Sequence, residues 1–218
     1  MPDATLLKER LAEAARYALL RRLAPAIRHN MAGALQPISM VAAMMERRMQ
    51  SPTPDMAVMA KNSNALNTLS REAASACMGL MTWLAPKDID AAPVGREIEE
   101  SVGLVATELS FKGFGLVNQA TGIDTAVPRS VVRNVFMASL LALTDAAETP
   151  GELTLSADNE GDGVVLTIAL VPKQGGPAVG GASHAYRHLA WDDVQALADV
   201  DGVRVQPETG RVRLWWKP

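Results

Sequence analysis

The chain has 218 residues, 48% of them hydrophobic, enough for one large or two modest domains with real cores. A net charge of −3 with scattered basic residues excludes an electrostatic footprint for nucleic acid, and a single cysteine, Cys77, excludes an internal disulfide. The opening Met1-Pro2-Asp3-Ala4, followed by Lys8, Glu9 and Arg10, lacks the apolar core of a signal peptide, and no run approaches the roughly 18 apolar residues of a membrane span; the expectation is a cytoplasmic protein.

Residues 5–50 predict one long helix, with kinks expected at Pro25 and Pro37, each of which removes a backbone donor. Leu11, Leu19, Leu23, Ile27, Met31, Leu35, Ile38 and Met45 recur mostly at three, four or seven positions and define one apolar stripe. His29 lies on the opposite side, roughly 160–200° around the helix from Ile27 and Met31, so its imidazole is expected at solvent. One turn away stand Pro25, Ala26, Ala32 and Gly33, none of them bulky. Near pH 7 about three quarters of free imidazole is neutral and nucleophilic, which suits an open histidine to accept a phosphoryl group.

Gln50-Ser51-Pro52-Thr53-Pro54 ends this helix, and Asp55 is placed to cap the next. A second helix to Leu84 carries Met56, Met59, Ser63, Leu66, Ala73, Cys77, Leu80 and Leu84 on one stripe, with Cys77 read as a small core residue. Eleven methionines against nine aromatic residues point to pliable helix packing. Two long helices joined by a tight turn form a hairpin that cannot cover both of its own stripes. A second copy would do so in a homodimeric four-helix bundle. Residues 1–86 are therefore read as one domain.

Residues 87–218 change pattern to alternating helices and short strands. Helices are predicted over 94–111, 129–147 and 191–200, and strands over 115–118, 152–156, 164–170, 203–205 and 211–216, with a turn at 159–163. This order predicts an α/β sandwich with its helices on one face, and an α+β fold for the whole chain. The glycines at 175, 176, 180 and 181 read as a flexible loop, since neither a lysine nor a helix start follows them. His184, His188 and Asp192 are four apart and would share a face of a continuous helix, where they could hold a metal; a solvated face is the alternative. Trp191, Trp215 and Trp216 are expected to close the sandwich core. Asp88, Asp90, Glu97, Glu99 and Glu100 read as turn and exposed helix charges.

A helical hairpin with an exposed histidine, then a sandwich in this order, resembles the catalytic core of bacterial sensor histidine kinases. Arg28-His29-Asn30-Met31 stands where that family has its phosphoacceptor. The segment from Arg133-Asn134 to Asp145-Ala146 looks like the family's helix that supplies asparagines for magnesium and nucleotide, and 201–214 is similar to its closing hairpin. Ala138 and Ala142 stand at the asparagine positions, Pro172 begins the loop where an adenine-recognising aspartate is expected, and Asn30 replaces the general base beside the histidine. A kept histidine with a dismantled nucleotide site resembles the kinase-derived dimeric histidine phosphotransferases. That resemblance implies phosphoryl transfer between receiver aspartates through His29, with no cofactor of its own because the response-regulator receiver domain brings the magnesium. Arg22, Arg28, Ala32, Gly33 and Gln36 are the candidate receiver contacts. The alternative is a catalytically silent kinase remnant that binds response regulators as a dimeric module.

Overall fold

The computed structural model describes residues 4–84, 91–173 and 187–217. Helix α1 spans Ala4–Met49 and helix α2 spans Met56–Leu84, close to the predicted bounds. Pro25 and Pro37 both lie inside α1, which continues through them. Asp55 caps α2 as expected: its Oδ1 accepts the backbone N–H groups of Ala57 at 2.9 Å and Val58 at 3.1 Å, two of the donors a helix start leaves unpaired.

The chain forms two compact units, Pro25–Ala85 and Met1–Ala24 with Pro86–Pro218. The division falls inside α1 at Pro25, whereas the sequence placed the whole first helix with the hairpin. The cause lies in the first half of α1. Ala12, Ala15, Leu19 and Arg22 step by three or four and are buried together with Ala18 and Leu23. Alanines let a helix backbone approach closely, so this face serves as part of the α/β unit. Leu11, expected on the buried stripe, is instead 53% exposed.

In the hairpin unit, the second half of α1 and all of α2 bury little on their own. Met59, Ala73 and Trp83 are buried, and Leu66, Cys77 and Leu80 are half-buried. Cys77 is thus at the margin of a core rather than inside one. Met31 and Leu35, both on the predicted stripe, remain 37% and 46% exposed.

The α/β unit opens with strand β1, Ala91–Pro93, followed by helix α3, Val94–Phe111, strand β2, Gly115–Asn118, and strand β3, Ala126–Pro128. The pairing of β1 with β3 was not predicted; strands of three residues carry too little periodicity to read. A π-helical turn, Val131–Phe136, runs directly into α4, Met137–Asp145. Buried hydroxyls here turn back on the helix, Ser139 Oγ donating to the Val135 carbonyl at 2.7 Å and Thr144 Oγ1 to that of Leu140 at 3.0 Å.

Strands β4, Gly151–Glu160, and β5, Gly163–Pro172, form a long hairpin turning at Gly161-Asp162, with Gly161 at φ +63°, where a side chain would be strained. Helix α5, Trp191–Asp201, and the hairpin of β6, Val203–Glu208, with β7, Arg211–Trp216, complete the unit. The main sheet has the order β2-β4-β5-β7-β6, with β2 parallel to β4 and the other pairs antiparallel. Leu153, Leu155, Leu166, Ile168, Val212 and Leu214 alternate along β4, β5 and β7 and are buried on the face that α3, α4 and α5 cover. The predicted α+β fold is the observed one. No helix among the described residues is long and apolar enough to cross a membrane.

Candidate functional site

His29 is exposed on α1, and so are Arg28, Ala32, Gly33 and Gln36. The apolar stripe and the histidine diverge around the helix as the periodicity required, Ile27 and Ile38 being half-buried on the other side. At Gly33 an added Cβ would meet nothing within 4 Å, so the surface one turn beyond the imidazole is open. Ala32 and Gly33 put no bulk on the turn that follows His29. Arg28 adjoins His29 in the chain and Gln36 lies two turns further along α1, both exposed.

Arg22 does not belong to this surface. It is 4% exposed, because it lies on the alanine face of α1. Its Nε and Nη2 donate to the two oxygens of Asp145, at the end of α4, at 3.2 and 3.1 Å, and Nη2 is 2.7 Å from Glu108 Oε1 on α3. Lys112 Nζ completes the group, 3.1 Å from Glu108 and 3.4 Å from Asp145. Burial alone would raise both carboxyls, but hydrogen bonding and charge from Arg22, then Lys112, outweigh it and hold Glu108 and Asp145 below their ordinary values. Burial likewise opposes the Arg22 guanidinium, and its two carboxylates more than restore it. The spacing of Ala12, Ala15, Leu19, Arg22 and Ala26 was the available signal for this burial.

Glu97, expected as an exposed helix charge, is instead fully buried, paired with Arg129 and with Arg133 Nε at 3.1 Å. Ala138 and Ala142 are buried in α4 and present no oxygen to a ligand. The three-residue metal reading loses its helix: His184 and the glycine-rich loop lie outside the described residues, as do Asp88 and Asp90, while His188 precedes the start of α5 at Trp191. Among the described residues no group of three metal-binding side chains gathers. Arg187, just before it, binds Asp193 through two nitrogens at 2.6 and 2.8 Å, which lowers the Asp193 carboxyl, and that carboxylate also accepts the Ala190 N–H at 2.9 Å at the helix start. Trp191, Trp215 and Trp216, expected to close the core, are half-exposed.

No protein-family model and no curated protein sequence matches the chain. Among solved structures it is similar to a bacterial phosphotransferase, with 11% identity over 99% of this chain and 98% of that one at a TM-score of 0.38. It is similar also to the blue-light activated histidine kinase EL346 of Erythrobacter litoralis, with 17% identity over 81% of this chain and 62% of that one at a TM-score of 0.44. A third is histidine kinase ThkA in complex with response regulator protein TrrA, with 11% identity over 97% of this chain and 64% of that one at a TM-score of 0.40.

Proposed function

We propose that the protein is a histidine phosphotransfer protein of a two-component phosphorelay, accepting a phosphoryl group on His29 from a receiver aspartate and passing it to another. One observation carries this reading: an exposed histidine opposite the apolar stripe, with exposed Ala32 and open space at Gly33 on the following turn. In each transfer the bond from phosphorus to the aspartyl oxygen breaks as the bond to an imidazole nitrogen forms, and the return step reverses this. The receiver supplies the magnesium, and this chain's part is to present the imidazole in line and to keep bulk away from it. Arg28, next to His29 in the chain, offers a donor to the transferred group, and Gln36, two turns on, offers a contact to the receiver. ATP has no part in the reaction, a reading supported by Ala138 and Ala142 being buried in α4 where the family resemblance implies asparagines.

The chain acts as a homodimer, its hairpins closing a four-helix bundle with two equivalent histidines. The exposed Met31 and Leu35 on the predicted stripe support this.

Incubation with a phosphorylated receiver tests the function. Label should appear on the wild-type chain and be absent from His29→Gln, which should still bind the receiver because an exposed position carries little folding energy. Gly33→Arg should keep the fold and block transfer through bulk. A cognate receiver that binds and never loses its phosphate would make the chain a silent binding module instead.

A further inference from the structure

The outer face of the main sheet, away from the helices, carries a recess that the relay chemistry does not use. Arg204 on β6 is the cross-strand neighbour of Trp215 on β7, and Gln206 is that of Arg213. With Val165 and Glu160 they line a cavity of about 380 Å³, the size of a small organic molecule. The Arg204 guanidinium lies 5.1 Å from the centre of the Trp215 ring. A guanidinium held over a ring in this way is restrained, and its N–H groups can still donate to a planar acceptor.

The charges select the ligand. Arg213 Nη2 is bound to Glu160 Oε2 at 3.1 Å, and Lys217 nearby is paired with Asp162. Among the described residues Arg204 makes no ion pair, so the recess holds one uncompensated positive charge beside one occupied carboxylate. A monoanion balances that charge, whereas a dianionic phosphate would meet Glu160. Val165 is buried beneath, and with the Trp215 ring it gives an apolar wall next to the guanidinium.

We propose that this recess binds a small monocarboxylate with a flat apolar body, its carboxylate held by the edge of Arg204 and its body against Trp215 and Val165. The site is independent of His29, so it stands or falls apart from the relay reading.

The test is titration of the full chain with benzoate, followed by calorimetry and by the indole N–H resonance of Trp215, identified through Trp215→Phe. Saturable binding is expected at about 1 mM, the strength usual for a ligand of this size. Arg204→Met, which keeps the stem on the indole and removes the charge, should weaken it by about tenfold or more. Benzamide, the neutral isostere, should not bind, inorganic phosphate should bind more weakly than benzoate, and His29→Gln should bind benzoate normally. No saturable shift, equal binding of benzamide, or an unchanged constant in Arg204→Met would overturn the proposal. So would a change in sedimentation of Arg204→Met without any response to benzoate, which would mark the face as a contact between copies.

Discussion

Arg22 is one of the few long charged side chains that the fold encloses, and its cost and its service are both visible. An arginine removed from water is tolerated because two carboxylates and a fixed geometry replace its hydration. Arg22→Met would leave Asp145, whose side chain is 1% exposed, without its bidentate partner, with Lys112 3.4 Å away as the remaining ion pair among the described residues. We expect a loss of about 3–5 kcal/mol in chemical denaturation of this variant, whereas removing Arg22, Glu108 and Asp145 together for apolar residues should cost far less. The same network sets an acid limit. Its carboxyls are held below the ordinary values of 4.5 for Glu108 and 3.8 for Asp145, so its stabilisation is complete above those values and is lost as pH falls through them toward the lowered ones. Stability measured from pH 7 to pH 3 should therefore drop below about pH 4.5 in the wild type and be flatter over that window in the triple variant.

At the scale of elements, β4 and β5 come together so closely that Gly151 has no room for a side chain: a Cβ there would overlap the Val171 carbonyl oxygen and lie 2.8 Å from Pro172 Cα. These are backbone atoms of the paired strand and cannot move aside without breaking the register. Gly151→Ala should cost about 3 kcal/mol, read as a lowered midpoint of thermal or urea unfolding. Nothing in the sequence marks this glycine out, because a close approach is a property of the partner strand. The long helices and the main strands were legible, since each repeats its pattern over several turns or alternations. Asp55 was legible as a cap because its side chain acts on residues two and three positions away. His29 was legible for the same reason, being placed by its own helix. Arg22 and Glu97 were not, since their partners stand 123 and 36 residues along the chain and only the fold unites them. The unit boundary at Pro25 was missed because the alanines of α1 look like ordinary helix formers until the α/β unit covers them.

For the molecule as a whole, the decisive quantity is the apolar surface that a single chain leaves in water. Met49 and Met56 are 58% and 73% exposed in the hairpin unit, alongside Met31 and Leu35, while only a few of its described side chains are buried. A helical hairpin with so thin a core of its own gains little from folding alone. If a second copy removes about 1,000 Å² of apolar surface per chain from water, the gross gain is on the order of 25 kcal/mol before the cost of association, enough for a stable dimer. Methionine suits this role because its flexible thioether adapts to a symmetric seam where a rigid aromatic ring would have to meet its own copy. Sedimentation velocity at micromolar concentration should give a dimer. Charged substitutions at Met31 and Leu35 together should shift it toward monomer and lower the helical signal of the hairpin, while the α/β unit, with its own buried sheet face, keeps its cooperative unfolding. A monomeric wild type, or a dimer indifferent to those two substitutions, would mean that the methionine-rich stripe serves a different partner.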